Sequence, residues 1–219
     1  MKKISKYIFP AAILLMMLTS LFSCKKESYL TDGGTANANS PLSTYDYLKS
    51  NKYHYFDTVI LLIDHFNLKD SVNKAGTFFA FTDFSVNSMM NTLGVATLDD
   101  LYGSISSQLL TQYMFADTSL TLAKASTTPV QVANWARNAA LSAIDKIQLS
   151  YQEYLTSSAP IFTYYTLQYV QINGVLDNSS GAPANDPVDT YISCQTTGIH
   201  TATGTTLHVL ANNAQLNIL

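Results

Sequence analysis

Cysteine, tryptophan and charged residues are all scarce in this sequence. Its 219 residues include two cysteines and one tryptophan, and only 12% are Asp, Glu, Lys or Arg. Two cysteines are too few for the disulfide framework of a small secreted domain, so the hydrophobic core must stabilise the fold alone. The low charge, together with abundant Tyr, Thr, Ser and Asn, predicts a neutral-polar surface, which is typical of extracytoplasmic binding domains.

Positive charge is also in short supply, because the chain has 12 basic and 15 acidic residues. Three of the lysines lie in the first 23 residues, a segment that we expect to be removed from the mature protein. Proteins that bind nucleic acids need a basic surface to neutralise phosphates. The sequence therefore excludes a nucleic-acid partner.

Local signatures of catalysis are missing as well. There is no Gly-x-Ser-x-Gly elbow and no phosphate-binding loop. The strongest set of metal ligands is Cys194, His200 and His208, because a turn near Gly204 is expected to bring the two histidines opposite each other. A structural zinc site needs a fourth ligand, and none is evident. We therefore predict no catalytic residue, no cofactor and no metal, and a protein that is not an enzyme.

The first residues have the features of a secretory signal. Lys2, Lys3 and Lys6 form a basic segment, and residues 7–18 form an apolar run. This run is shorter than the about 20 residues that span a bilayer. We therefore predict that residues 1–23 are a signal peptide and not a transmembrane helix.

Leu21-Phe22-Ser23-Cys24 resembles the lipobox of bacterial lipoproteins, in which the cysteine receives a lipid and becomes the new N-terminus. The alternative is that Cys24 is an ordinary thiol after an ordinary cleavage site, but the abrupt change to charged residues favours lipidation. We predict lipidation of Cys24, a flexible tether over residues 24–40, and contact with a membrane through the lipid. The resemblance implies a bacterial outer-membrane location, facing the periplasm or the cell surface.

Capping patterns predict a series of helices in the first half of the remaining chain. Ser43-Thr-Tyr-Asp46 and Thr97-Leu-Asp-Asp100 each place a hydroxyl three residues before an acid, which is typical of a capping box. Asp57 and the pair Thr82-Asp83 suit the N-caps of two further helices. The helices predicted in this way, including one short helical or turn segment, cover residues 44–51, 58–66, 68–72, 84–93 and 98–113.

Segments rich in β-branched and aromatic residues predict the strands. The segment 129–154 mixes two periodicities, with helical spacing from Val132 to Ile147 and alternation from Ile147 to Tyr151. We interpret it as a helix followed by a strand. The other predicted strands cover residues 77–81, 161–172, 190–196 and 205–210.

Two short blocks carry a family resemblance. Residues 76–85, Gly-Thr-Phe-Phe-Ala-Phe-Thr-Asp-Phe-Ser, and residues 203–210, Thr-Gly-Thr-Thr-Leu-His-Val-Leu, are similar to the first and second blocks of the fasciclin domain. That domain is an extracytoplasmic module associated with adhesion. Phe81 stands where the family usually has proline. Met114, after Tyr113, stands where many members carry the histidine of a Tyr-His pair implicated in adhesion.

The resemblance covers residues 42–219 and implies an α+β fold, with a fasciclin-like β-sandwich core and several helices packed along one side. We therefore predict a single fasciclin-like domain over residues 41–219, with an enlarged region over 118–185. His208 is expected to be a satisfied core or edge histidine. The apolar residues of both blocks are expected in the core, namely Phe78, Phe79, Phe81, Leu207, Val209 and Leu210.

One group of aromatic residues is a candidate ligand site. Tyr164, with Tyr151, Tyr154 or Trp135, is expected to form an exposed platform on which a sugar ring can stack. The opposite face of the same strand, which includes Tyr169, is the expected core face. Cross-strand packing of the aromatic side chains is the alternative to a ligand site.

These expectations favour a membrane-anchored extracytoplasmic binding or adhesion lipoprotein that engages a glycan or a surface protein partner without catalysis. The alternative is a structural accessory subunit of an outer-membrane nutrient-uptake or assembly complex, docked through residues 118–185. A hydrolase with dispersed carboxylates is a third hypothesis, because acids that are distant in sequence can still meet in a cleft.

Overall fold

The computed structural model describes residues 38–116, 120–136, 142–151, 162–177, 179 and 182–216. Its helices are α1 (Thr44–Lys49), α2 (Asp57–His65), α3 (Lys69–Lys74), α4 (Asp83–Leu93), α5 (Leu98–Ser104) and α6 (Gln108–Thr111). Its strands are β1 (Thr77–Ala80), β2 (Met114–Phe115), β3 (Val130–Val132), β4 (Ser142–Tyr151), β5 (Phe162–Gln171), β6 (Thr190–His200) and β7 (Thr206–Leu210). Residues Ala38–Leu219 form one compact unit.

The described strands form one sheet with the order β2-β1-β7-β6-β5-β4-β3. β1 pairs with β7 in parallel, with Thr77 opposite Thr206, whereas the other strand pairs are antiparallel. Register shifts between Cys194 and Ile199 interrupt the pairing of β6 with β7, and such irregularities bend a strand. The fold is therefore of mixed α and β content, with several helices against a sheet. A two-layer sandwich is not confirmed.

The core lies where β1 and β7 meet the aromatic residues of neighbouring segments. The prediction of the six core residues from the two sequence blocks is confirmed, because all six are buried. Phe79 contacts the rings of Phe115, Tyr169 and His208, and Phe81 contacts the ring of Tyr113. Each large side chain buried in this way contributes about 1.5–3 kcal/mol, so this cluster is a main source of stability.

The hydroxyl cap of each predicted capping box is confirmed. The Oγ of Ser43 accepts from the amide of Asp46 at 3.1 Å, and the Oγ1 of Thr97 accepts from the amide of Asp100 at 3.2 Å. The prediction of one helix from residue 98 to 113 is wrong, because α5 ends at Ser104 and α6 is separate. The Oγ of Ser104 donates to the carbonyl of Asp100 at 2.8 Å, and such back-bonding weakens a helix.

Of the other two predicted caps, the one at Asp57 is wrong, and the one at Thr82 is confirmed in position only. α2 begins at Asp57 itself, and the carboxylate that accepts from its first turn belongs to Asp83. The Oδ1 of Asp83 lies 3.0 Å from the amide nitrogen of Thr58 and 3.2 Å from that of Val59. Thr82 is the N-cap of α4 by position, but its hydroxyl donates to Asn212 instead of accepting from the helix. These acceptors act between distant segments, which local sequence patterns do not reveal.

The predicted helix after residue 129 is also wrong over the described residues 130–136. Residues Val130–Val132 form β3, and Val132 pairs with Ser142 at the start of β4. Pairing with β4 thus outweighs the helical spacing of the apolar residues. The strand predicted from Ile147 to Tyr151 is confirmed as part of β4.

Candidate functional site

The segment 51–56 between α1 and α2 forms a turn whose shape is fixed by Asn51. The Oδ1 of Asn51 accepts from the amides of Tyr53 and Tyr55 at 3.1 and 3.4 Å. Its backbone carbonyl accepts from the amide of His54 at 3.0 Å. His54 has a φ of +56°, a left-handed conformation in which histidine is enriched among residues other than glycine. The backbone of the turn therefore determines where the two tyrosines lie.

The turn is also tied to the start of α4. The amide of Asp83 donates to the carbonyl of Tyr55 at 2.9 Å, while its carboxylate accepts from the first turn of α2. Phe56, the next residue of the turn, is buried in the core. These contacts hold residue 55 beside α4, so Phe84 lies next to Tyr55.

Tyr53, Tyr55 and Phe84 form an exposed patch that we call the aromatic surface. The three residues are 60%, 41% and 51% exposed. The ring centroids of Tyr53 and Tyr55 are 5.6 Å apart with an interplanar angle of 23°, and those of Tyr55 and Phe84 are 6.0 Å apart at 56°. Contiguous exposed apolar groups can serve as a contact surface for a ligand, whereas isolated ones need no explanation. The aromatic surface is therefore the candidate functional site.

Two open hollows flank the aromatic surface. The first, which we call the Phe84 hollow, has a volume of about 290 Å³ and is lined by Tyr53, His54, Tyr55, Asp83, Phe84 and Asn87. The second has a volume of about 220 Å³ and lies on the side of Tyr47, Asn51 and Gln195. Both hollows combine aromatic rings with amide or carboxylate groups. They can thus contact apolar C–H groups and hydrogen-bond with hydroxyl groups of one ligand.

The charges around the aromatic surface are mixed. The Nζ of Lys52 lies 4.7 Å from the ring centroid of Tyr53, and the Nδ1 of exposed His54 lies 3.0 Å from the Oδ2 of exposed Asp57. Burial raises the pKa of Asp83, and the amides of Thr58 and Val59 oppose this effect by hydrogen bonding to its charged form. The surface therefore offers non-covalent contacts of several kinds.

The aromatic residues predicted from the sequence do not all lie together. Trp135 is half-buried against the core, and its amide donates to the carbonyl of Met114 at 2.9 Å. Trp135 follows β3, whose end pairs with Ser142, whereas Tyr151 is at the other end of β4, about 30 Å along the strand. The structure therefore does not bring Trp135 to Tyr151.

Tyr151 and Tyr164 occupy neighbouring strands. Tyr151 pairs with Phe162, and Tyr164 pairs with Leu149, so the two tyrosine positions are diagonal neighbours in the β4–β5 hairpin. Tyr154 and Cys24 lie outside the described residues. The platform and the lipidation thus stay predictions. The expected core face of β5 is confirmed at Tyr169, which is buried.

The three candidate metal ligands do not form a site. The expectation that His200 lies opposite His208 is wrong, because His200 pairs with Thr206. Both ring nitrogens of buried His208 are occupied, since Nε2 donates to the carbonyl of Leu120 at 2.8 Å and Nδ1 accepts from the amide of Gly198 at 3.2 Å. Within the described residues, no group of three or more His, Cys, Asp or Glu side chains is placed to hold a metal ion.

Two other features of the described residues bear on function. Tyr113 and Met114, at the position of the adhesion-associated pair of the resemblance, are both fully buried and therefore cannot contact a partner. Among the described helices, none combines the length and the apolarity that crossing a bilayer requires.

Sequence reasoning missed the aromatic surface, although a weak signal was present. Lys52-Tyr53-His54-Tyr55-Phe56 is an aromatic-rich segment between two predicted helices, where a turn would normally be polar. Phe84 lies outside the apolar stripe of α4, whose buried residues are Ser85, Val86 and Met89. No family model matches the chain, and no curated protein is significantly similar to it.

Proposed function

We propose that this protein is a non-catalytic, membrane-anchored extracytoplasmic binding or adhesion lipoprotein that engages a glycan or a surface protein partner. In this proposal, lipidated Cys24 holds the chain on the bacterial outer membrane, and residues 24–40 act as the tether. The domain behind the tether presents the aromatic surface to the ligand. The domain faces the periplasm or the cell surface.

We also propose that the domain has a fasciclin-like β-sandwich core with several helices along one side. The pairing of the two sequence blocks supports this assignment, because residues 77–80 and 206–209 form adjacent parallel strands although they are far apart in sequence. A shared core around these strands is what the resemblance implies. Association with adhesion in that family agrees with the proposed binding role.

The observation that carries the binding role is the exposure of three contacting aromatic rings on a fixed backbone. Exposing apolar rings to water costs free energy, at about 25 cal/mol per Å² of apolar area. Tyr53 and Tyr55 are held in place by Asn51 and Asp83 and not by burial of their rings. A ligand that covers the aromatic surface recovers that free energy with little loss of conformational entropy.

Retention of cells on coated surfaces tests the binding role. The full-length chain is displayed on a bacterial host, and the cells are applied to surfaces coated with neutral polysaccharides or with outer-membrane proteins. We expect retention on at least one coating, loss of retention in the Tyr53→Ala/Phe84→Ala double variant, and normal retention in the Tyr191→Ala control. Tyr191 is exposed but distant from the aromatic surface in sequence and lines another hollow. Equal retention by all three proteins, or by none, contradicts the binding role.

Anchoring is tested separately. Cells that express the chain are labelled with an alkyne fatty acid, and the membrane fraction is isolated. We expect label on the native chain and neither label nor membrane retention in Cys24→Ser. Membrane retention of an unlabelled native chain contradicts the anchoring proposal.

One observation at the β3 edge of the sheet supports the accessory-subunit alternative. β3 is the outermost described strand, Val130 is 54% exposed, and an apolar hollow of about 110 Å³ lies beside it between Leu120 and Val132. Exposed edge strands can add a strand from a partner. If a subunit docks there, Val130→Lys abolishes its co-purification and Tyr53→Ala does not. The opposite pattern favours the aromatic surface.

A further inference from the structure

The Phe84 hollow has the features of a site for a carbohydrate ring. We propose that it binds a pyranose ring with equatorial hydroxyl groups that belongs to a neutral glycan chain. This ligand class rests on the binding role proposed above. In such a sugar the axial C–H groups form a flat apolar face, while the hydroxyl groups point outwards around the ring. The aromatic rings contact the apolar face, and the polar groups of the hollow contact the hydroxyls.

The size of the aromatic surface favours a small ligand over a protein partner. A buried aromatic side chain covers about 150–250 Å², so rings that are about half exposed offer together about 300 Å². A stable protein interface needs about 800 Å² from each partner. The aromatic surface is therefore too small to serve as such an interface alone, but it is sufficient for one or two sugar rings.

The lining of the Phe84 hollow matches the two kinds of group on a sugar. Tyr55 and Phe84 supply ring surface at an interplanar angle of 56°, so they form two walls and not one flat plate. Asn87 supplies an amide that can donate and accept, and Asp83 supplies a carboxylate that accepts. Phe84 and Asn87 are three residues apart on α4, so both lie on one side of the helix.

The charges near the hollow favour a neutral chain. Asp83 is the carboxylate that lines the hollow, Asp57 is paired with His54, and the Nζ of Lys52 lies over the ring of Tyr53. The carboxylate of a uronic acid placed in the hollow would face the carboxylate of Asp83. Charge repulsion therefore selects against acidic glycans.

Calorimetric titration of the full-length protein with defined oligosaccharides tests the proposal. The protein is kept in a detergent without a sugar headgroup, because a glycoside detergent would compete for the hollow. The probes are cellohexaose and xylohexaose, which have equatorial hydroxyls, and an oligogalacturonate, which is acidic. The variants are Phe84→Ala, Asn87→Ala and the exposed control Tyr191→Ala, each compared with the native protein by circular dichroism for retention of the fold.

We expect cellohexaose or xylohexaose to bind, with about a tenfold or greater loss of affinity in Phe84→Ala, since covering about 60 Å² of exposed ring at about 25 cal/mol per Å² corresponds to a factor of about ten. Asn87→Ala should also weaken binding, Tyr191→Ala should bind as the native protein does, and the oligogalacturonate should bind more weakly. Binding that Phe84→Ala leaves unchanged overturns the assignment of the site.

The result also separates the ligand class from the binding role. If no neutral oligosaccharide binds but retention on protein-coated surfaces still depends on Tyr53 and Phe84, the glycan is overturned and the binding role stands with a protein partner. If both the titration and the retention experiment fail, the binding role itself is overturned.

Discussion

We expect mild acid to destabilise the protein through His208. The ring is buried and stacks on Phe79 with a centroid distance of 4.8 Å. Its Nε2 donates to the carbonyl of Leu120, and its Nδ1 accepts from the amide of Gly198. Only the neutral ring with its proton on Nε2 satisfies both contacts. Protonation of Nδ1 must therefore break the hydrogen bond to Gly198 and place a charge in the core.

The size of the effect follows from the pKa of His208. Burial lowers this pKa from 6.5 to about 4; the hydrogen bond to Leu120 opposes the decrease, and nearby His200 adds to it. The unfolded chain binds the proton at a higher pH than the folded protein does. The stabilisation that neutral His208 contributes is therefore complete above about pH 6.5 and is lost as the pH falls towards about 4. At about 1.4 kcal/mol per pKa unit, the loss is about 2 kcal/mol by pH 5 and about 3 kcal/mol in full.

Urea unfolding followed by circular dichroism at several pH values between about 7.5 and 5 measures this loss. The variant is His208→Phe, which keeps an aromatic ring against Phe79 but cannot titrate. It should be less stable at neutral pH by about 1–3 kcal/mol, because the carbonyl of Leu120 and the amide of Gly198 lose their partner. Between about pH 7.5 and 5, its free energy of unfolding should fall by about 2 kcal/mol less than that of the native protein.

The raised pKa of Asp83 acts in the opposite direction, but this carboxyl is present in both the native protein and His208→Phe, so the comparison removes its contribution. If the native protein and His208→Phe lose stability in parallel as the pH falls, the assignment of the acid sensitivity to His208 is refuted.

Three further predictions concern single residues and use the same unfolding assay. The hydroxyl of Tyr113 is buried without a hydrogen-bond partner among the described residues, so Tyr113→Phe should stabilise the protein by about 1 kcal/mol. Tyr169→Phe removes a hydroxyl that is hydrogen-bonded, so this variant should be less stable than the native protein. A loss of stability in both variants contradicts this account. Gly174 has a φ of +86° and faces a carboxylate, so Gly174→Ala should lower the free energy of unfolding by about 1–2 kcal/mol. Gly103 lies in α5 with open space around it, so Gly103→Ala should leave the stability unchanged or raise it. Asp83→Ala removes the acceptor of two first-turn amides of α2 and should cost about 1–2 kcal/mol; an equal cost for Asp83→Asn would argue against this role.

Local signals in the sequence predicted those elements that depend on local contacts. The hydroxyl caps at Ser43 and Thr97 involve atoms only three residues apart, and both are present in the structure. Apart from His208, β1 and β7 consist of apolar and β-branched residues, and all are buried, so their pattern was also sufficient. The end of α5 at Ser104 was missed because Ile105 and Leu109 continue the helical spacing of Leu101.

Contacts between distant segments were not predictable in this way. Asp83 accepts from α2 and not from its own helix, and β3 exists because it pairs with β4. The same limit applies to the candidate site. Tyr53 and Tyr55 meet Phe84 only because the turn at 51–56 is hydrogen-bonded to the start of α4. Sequence spacing does not show such contacts between distant segments, so the aromatic residues predicted from the sequence were not these three.

The response of individual aromatic rings to ligand tests most directly whether the aromatic surface is the binding face. The full-length protein is prepared with labelled Tyr and Phe rings, and their NMR chemical shifts are followed as cellohexaose or xylohexaose is added. If the aromatic surface is the binding face, the shifts of Tyr53, Tyr55 and Phe84 change together with one dissociation constant, while those of Tyr191 stay constant. Changes that spare these three rings, or that are largest at Tyr191, would contradict the claim that the aromatic surface is the binding face.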